Sequence, residues 1–194
     1  MSQVSDPALI VIDPQKYFCD PAYGRISADT GERAAAAIES INAFLSRYRE
    51  SGKRPIFVRV TNPDHALSPE WEEKYEAFGR VPCPPNSKEA AFATGLDVRD
   101  DDIYLTKHRF NAFFRTPLET YLTTAGISSL LLAGFMTNVC VESTARNAIE
   151  RDYAVTILSD CTTASTQRTK ERALDRMDGL FGTVKPSGDI SPQQ

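Results

Sequence analysis

Short apolar runs alternate with longer amphipathic stretches along most of this chain of 194 residues. The runs at 9–12, 55–60, 103–106, 130–133 and 154–158 predict strands. The first run, LIVI, is apolar at every position, which is typical of a strand buried on both faces. Strands that alternate with helices indicate a parallel sheet covered by helices on both sides. The pattern therefore predicts an α/β fold.

Amphipathic stretches predict the helices between these strands. Residues 30–50 carry an apolar residue about once per helical turn and end at Gly52, which predicts a long helix. Thr116 and Pro117 predict another helix start, with the threonine as the cap and the proline in the first turn. Further helices are predicted from Cys140 and over 166–180, and residues 182–184 are a candidate sixth strand.

Two segments lack this regularity. Residues 61–96 contain five prolines and scattered aromatic residues, and only 69–78 fits a short helix. A long irregular insertion in a compact domain is usually a lid, a pocket wall or a partner surface. The tail from about residue 186 reads as disordered. The remainder fits one domain over 1–194, a size that suits a single core.

Composition narrows the functional classes. The net charge is −4 and the sequence has no dense basic block, so we expect neither nucleic-acid nor membrane binding. We see no apolar run near the ~20 residues of a membrane span and no secretory signal at the N-terminus. The four cysteines show no CxxC pairing. We therefore expect reduced thiols and a cytoplasmic protein.

Three potentially reactive side chains stand at predicted strand ends. Asp13 follows the first strand, Lys107 ends the third, and Cys140 follows the fourth. Ligands of open parallel sheets bind beyond the carboxyl ends of the strands. A helix beginning at Cys140 would also favour its thiolate form. Each residue alone has an ordinary explanation, as a turn former, a solvated lysine or a buried apolar thiol.

The surrounding motifs are more specific than the single residues. They are VIDPQKYF at 11–18, KHRFNAFFRT at 107–116 and GFMTNVCV at 134–141. In this order they resemble the isochorismatase-like cysteine hydrolases, and the likeness extends over about residues 8–184. Phe110 and Asn111 depart from the pattern, because tyrosine and serine are common there in the family.

The resemblance implies a three-layer α/β/α domain with a doubly wound, mostly parallel sheet of about six strands. It implies a catalytic triad of Asp13, Lys107 and Cys140, in which the thiolate attacks a carbonyl carbon. It also implies a cis peptide between Phe135 and Met136. The backbone N–H groups of Met136 and Cys140 would then bind the oxyanion.

The residues around the triad, and the small number of histidines, indicate the branch of the family. The chain has two histidines and lacks the Asp-x-His pair of the metal-dependent nicotinamidases, so we expect no metal and no other cofactor. The likeness is greatest to the linear amidases and ureidases, which include ureidoacrylate, biuret and N-carbamoylsarcosine hydrolases. The predicted activity is therefore hydrolysis of a C–N bond in a small-molecule substrate through a thioester intermediate.

Substrate contacts are less determined by the sequence. Candidates are Gln15, Phe18, Asn111 and Thr137, although simple packing or turn bonding would explain Gln15 and Phe18 equally well. Arg109 and Arg115 could pair with a substrate carboxylate, but a solvated arginine is the simpler reading.

Two other functions remain open at this point. One is cleavage of a vinyl ether with Asp13 as general acid, as in isochorismatases proper. The other is a non-catalytic interaction protein on the same scaffold, with residues 61–96 as its partner surface. Family members are commonly dimers or tetramers, so we also expect a homo-oligomer.

Overall fold

The computed structural model describes residues 6–24, 26–77 and 79–192. Its centre is one sheet of six strands: β1 (Ala8–Ile12), β2 (Ile56–Val60), β3 (Ile103–Lys107), β4 (Ser129–Phe135), β5 (Ala154–Thr163) and β6 (Thr183–Lys185). The strands lie in the order β3-β2-β1-β4-β5-β6, and every neighbouring pair is parallel. The direction of winding therefore reverses between β1 and β4.

Helices cover both faces of this sheet. They are α1 (Lys16–Cys19), α2 (Ala28–Glu50), α3 (Pro69–Ala77), α4 (Leu118–Thr124), α5 (Glu142–Ile149) and α6 (Gln167–Met177). On β1, Leu9 and Val11 face α2, whereas Ile10 and Ile12 face the core formed with α4, α5 and α6. This two-sided burial is why the strand is apolar at every position. The predicted three-layer α/β/α fold is confirmed.

The long helix α2 begins where its capping residues place it. Ser27 Oγ accepts a hydrogen bond from the Thr30 backbone N–H at 3.1 Å. At the other end, Gly52 adopts a φ of +81°, the left-handed conformation that follows many helices. The prediction of a helix over 30–50 is therefore confirmed, with the start two residues earlier.

Some predicted boundaries were wrong. The fifth strand does not stop at Leu158 but continues to Thr163, past a register shift in its pairing with β4. The cap of α4 is Pro117 and not Thr116, whose hydroxyl instead accepts a hydrogen bond from the Leu118 N–H. Local sequence predicts such boundaries poorly, because pairing across the sheet decides where a strand ends.

The chain after residue 186 is folded where the structure describes it, so the predicted disorder was wrong there. Residues Ser187–Asp189 form a 3-10 turn. Ser187 is buried, and its backbone N–H and hydroxyl donate to the two carboxylate oxygens of Asp160 at 2.7 and 2.6 Å. The Arg47 guanidinium donates to the Ser187 carbonyl. Residues 193–194 lie outside the described residues.

Where the structure describes the 61–96 segment, it contains a 3-10 turn, Asp64–Ala66, and the helix α3. This agrees with the predicted short helix, although its predicted last residue, Phe78, lies outside the described residues. The segment folds back over the carboxyl ends of the strands, where the Lys16 and Tyr17 backbone N–H groups donate to carbonyls of Ala91 and Glu89. In the described ranges, none of the helices has the length and apolar character needed to cross a membrane.

Candidate active site

The reversal point of the sheet brings two predicted residues together. Asp13 directly follows β1, and Cys140 lies in a helical turn, Thr137–Val141, that follows the adjacent strand β4. Gly134 permits the close approach of these two strands, because a Cβ at this position would lie 2.0 Å from the Ile12 carbonyl oxygen. Its φ of +114° is also one that other residues rarely adopt.

Lys107 reaches the same place from the edge of the sheet. It ends β3, two strands away from β1, a distance of roughly 10 Å at normal strand spacing. Its ammonium Nζ lies 2.7 Å from Asp13 Oδ2 and 3.6 Å from Cys140 Sγ, and it also donates to the Arg109 carbonyl at 2.9 Å. A long side chain is needed to span this gap. The structure therefore places a carboxylate, an ammonium and a thiol side by side.

Burial sets the electrostatics of this cluster. Asp13, Lys107 and Cys140 are exposed by 0%, 1% and 4%. Loss of solvent raises the pKa of Asp13, and the attraction of Lys107 offsets this only in part. Burial alone would lower the pKa of Lys107, but the negative charge of Asp13 raises it, so the ammonium is retained. The pair is therefore ionic, with a carboxylate more basic than usual.

The helix that was expected to begin at Cys140 and to favour its thiolate form does not begin there. Burial, followed by the negative charge of Asp13, raises the pKa of the Cys140 thiol well above its usual range. The helix α5 begins only at Glu142, so Cys140 stands in the preceding turn and not at the helix start. At this position desolvation of the thiolate is the largest influence on the pKa of Cys140. The thiol therefore needs a base before it can react.

Asp13 has an oxygen available for that proton. Oδ2 accepts from Lys107, whereas Oδ1 has no hydrogen-bond partner among the described residues. The Cys140 thiol lies close enough to the Asp13 carboxylate to lower the pKa of Asp13. Asp13 itself has a φ of +49°, and its backbone N–H donates to the Val58 carbonyl at 2.7 Å. This turn directs the carboxylate toward the thiol and the ammonium.

A cavity of about 330 Å³ opens onto Lys107 and Cys140. Its wall is mainly apolar and aromatic and combines the strand ends with residues from the 61–96 segment. Residues that line it include Phe18, Val60, Asn62, Tyr75, Phe110, Met136 and Val139. The volume suits a small molecule. The peptide bond between Phe135 and Met136, at the edge of this cavity, is cis.

Of the four predicted substrate contacts, the structure brings only Phe18 to the cavity. Gln15 is fully buried and its amide bonds the backbone of Val60 and Ala90, so it holds the Asp13 turn in place. Asn111 Oδ1 accepts from the Phe113 N–H at 2.9 Å, within its own turn. Thr137 is fully buried and shares a 2.7 Å hydrogen bond with the Thr162 hydroxyl. These three side chains have structural partners, which short sequence motifs do not reveal.

The two arginines also differ from each other. Arg109 lines the cavity, and its guanidinium donates to the carbonyls of His108 and Ala66. Arg115 is exposed, has a φ of +53°, and lies over the Phe114 ring. Arg115 is not among the residues that line the cavity.

The 61–96 segment contributes cavity residues that the sequence motifs did not indicate. Asn62 is buried, accepts from the Tyr75 hydroxyl at 3.2 Å and donates to the Pro82 carbonyl at 2.7 Å. Burial raises the pKa of Tyr75 to about 12, so its hydroxyl is neutral at physiological pH. Lys74 lines the cavity beside Tyr75. In the sequence, Lys74 and Tyr75 follow Trp71 by three and four residues, the spacing of one helical face, and this spacing could have grouped them on one side of α3.

Metal-ligating side chains are not grouped in the described ranges, where no cluster of three or more His, Cys, Asp or Glu residues could hold an ion. His65 is exposed, and His108 Nδ1 lies 2.6 Å from the Thr61 carbonyl oxygen. All four cysteines are buried and free.

The fold and this cluster define a class of small α/β hydrolases that carry a buried cysteine where the sheet reverses. The chain belongs to the isochorismatase domain family, whose profile matches residues 7–188. The predicted family membership is thereby confirmed.

Curated relatives and solved structures agree with this assignment. The chain is 33% identical to the ureidoacrylate amidohydrolase RutB of Methylorubrum extorquens, over 91% of this chain and 77% of the relative. It is 30% identical to the protein of the same name from Caulobacter segnis, over 94% and 83% of the two chains. An isochorismatase family protein from Desulfovibrio vulgaris superimposes with a TM-score of 0.82 at 25% identity, covering 94% and 95%.

Proposed function

We propose that this protein hydrolyses a carbon–nitrogen bond of a small linear amide or ureido compound, with Cys140 as the nucleophile. The observation that carries the proposal is the contact of Lys107 Nζ with both the Asp13 carboxylate, at 2.7 Å, and the Cys140 sulfur, at 3.6 Å, beside a cavity that Lys107 and Cys140 line. The relatives named ureidoacrylate amidohydrolases support the ureido class. Ureidoacrylate is therefore the first compound to assay.

The first step activates the thiol. Asp13 takes the Cys140 proton on its unpartnered oxygen, and the Lys107 ammonium stabilises the resulting thiolate beside it. Burial raises the pKa of Asp13, so its carboxylate is a stronger base than an exposed aspartate. The positive charge of Lys107 thus stabilises the negative charges of Asp13 and of the Cys140 thiolate in a buried site.

The thiolate then attacks the carbonyl carbon and forms a carbon–sulfur bond. The backbone N–H groups of Met136 and Cys140, both residues of the cavity wall, bind the developing oxyanion. The carbon–nitrogen bond breaks, and the leaving nitrogen takes the proton held by Asp13. A water molecule next attacks the thioester, gives one proton to Asp13, and releases the acid. That proton returns to the sulfur, so the cycle closes without a cofactor.

Replacement of Cys140 by alanine tests the proposal. The expected result is a loss of ammonia release from ureidoacrylate and from a panel of linear amides by at least about a thousandfold, because the nucleophile is gone. The matched control is Cys161→Ala, which removes another buried thiol outside the cavity and should keep activity. Circular dichroism checks that both variants fold. Full activity in the Cys140→Ala variant would refute the proposal.

The same variants separate the alternative functions. Vinyl-ether cleavage with Asp13 as general acid predicts that activity on isochorismate survives in Cys140→Ala and disappears in Asp13→Asn. A non-catalytic protein predicts no turnover of any compound by the unmodified chain. Covalent addition of the acyl group to Cys140, seen by mass spectrometry, would support acyl transfer over both.

A further inference from the structure

The side of the cavity formed by α3 carries an ammonium that has no carboxylate partner in the described part of the chain. Lys74 lines the cavity and lies on α3, within the 61–96 segment. Its Nζ is 5.0 Å from the centroid of the Trp71 ring and 5.7 Å from that of Phe110. Within the ranges that the structure describes, Lys74 makes no ion pair, although α3 is rich in glutamate.

The glutamate best placed to pair with Lys74 has another partner. Glu70 lies four residues before Lys74, the spacing at which helical ion pairs normally form. Its carboxylate instead accepts a 2.6 Å hydrogen bond from the Ser68 hydroxyl. The lysine therefore lies over the aromatic rings and faces the cavity.

The position of Lys74 relative to the reactive groups is held by packing. The Trp71 ring contacts the Phe110 ring at 5.1 Å and the Arg109 guanidinium at 4.8 Å, measured to the Trp71 centroid. These two partners lie two and three residues after Lys107 in the sequence. Tyr75, one turn after Trp71, is tied to Asn62 by its hydroxyl. The helix α3 thus packs against the end of β3, the strand that carries Lys107.

The charges around the cavity are unbalanced. Its charged lining residues are Lys74, Lys107 and Arg109, and no aspartate or glutamate of the described chain is among the lining residues. Asp13 neutralises Lys107. Arg109 bonds two backbone carbonyls but keeps its charge. Two positive charges therefore face a mainly apolar cavity, an arrangement that favours an anionic ligand.

We propose that the Lys74 ammonium binds a carboxylate of the substrate and makes this protein selective for amides or ureas that are also carboxylic acids. The proposal rests on the function proposed above and adds the chemical class of substrate and the residue that selects it. Arg109 contributes to the potential, but its hydrogen bonds are already directed at the backbone. Among the described cations that line the cavity, Lys74 is the one without an ion pair or a hydrogen bond to a described residue, so it can reach a ligand group.

Charge selectivity in steady-state kinetics tests this role. The probes are ureidoacrylate and its methyl ester, and the readout is the ratio of their kcat/KM values. In the Lys74→Met variant this ratio should fall by about tenfold, the effect of losing one charge-assisted hydrogen bond at a partly exposed site. Lys74→Arg should restore most of it. Lys88→Met, which removes an exposed charge from the same segment, is the matched control and should leave the ratio unchanged.

The outcomes distinguish this proposal from the function on which it rests. If the protein hydrolyses the acid and Lys74→Met leaves the ratio unchanged, the role of Lys74 is refuted and the hydrolase function stands. If no ureido compound or amide is hydrolysed, the proposed function fails, and binding decides the role of Lys74. In that case calorimetry with succinamate and neutral succinamide should show tighter binding of the acid, lost in Lys74→Met. Equal binding of the two compounds overturns the proposal.

Discussion

Replacement of Lys107 by methionine should reveal how strongly the buried ion pair is coupled. The side chains of Lys107 and Asp13 are both 0% exposed, so solvent does not screen the pair. Methionine keeps most of the length of the side chain and removes the charge, which leaves the Asp13 carboxylate buried without a counter-charge. Breaking a buried pair in this way costs about 3–5 kcal/mol of folding free energy. That is a large share of the roughly 5–15 kcal/mol of a typical domain.

The loss of folding stability in the Lys107→Met variant should be smaller at low pH than at neutral pH. Burial already raises the pKa of Asp13 in the unmodified protein, and loss of the ammonium raises it further above the unfolded value of about 3.9. Between these two pKa values the folded state binds more protons than the unfolded state, so stability increases as pH falls. A decrease from pH 7 to pH 5 should therefore recover part of the lost stability in this variant.

Urea unfolding followed by circular dichroism measures these differences. The double variant Asp13→Asn/Lys107→Met should be more stable than Lys107→Met alone, because no charge is left unpaired. The control is Arg99→Met, which breaks an exposed ion pair with Asp97 and should leave stability unchanged within error. A loss below about 1 kcal/mol in Lys107→Met, or a double variant as unstable as the sum of the singles, would refute the reasoning.

Two further predictions concern the same region. The reaction requires the base form of Asp13, and burial raises the pKa of Asp13. The pH profile of kcat/KM should therefore rise with an apparent pKa above the ordinary aspartate value of about 3.9. An apparent pKa at or below that value would contradict the role of burial. Gly134→Ala should destabilise the fold by about 3 kcal/mol or more in urea unfolding, since strain adds to overlap with Ile12. The control Gly188→Ala, whose Cβ would meet open space, should cost little, and equal effects of the two substitutions would argue against a close approach of β1 and β4.

Several features of the fold could be predicted because they depend on local pattern. A strand such as β1 is apolar at every position because both of its faces are covered, and α2 begins and ends at capping signals. Short motifs also placed Asp13, Lys107 and Cys140 at strand ends. The carboxyl ends of parallel strands share one edge, so their convergence followed from the fold class.

Other features depended on contacts between distant segments. Gln15 and Thr137 belong to the motifs, yet their side chains bond Val60, Ala90 and Thr162, which no local signal pairs with them. Conversely, Lys74 reached the cavity wall from a segment that looked irregular. A motif shows which residue types occur together, but it does not show which atoms they contact.

The sequence by itself determined the parallel α/β sheet, the family and the order of three reactive side chains, because hydrophobic period and short motifs are local properties of a chain. Only the tertiary structure decided the state and the surroundings of these groups. The pKa of the Cys140 thiol is raised because burial and the negative charge of Asp13 act on it together, and burial is a property of the packed molecule. Lys74, which makes no ion pair with any residue that the structure describes, likewise lines the cavity because α3 packs on the residues that follow Lys107.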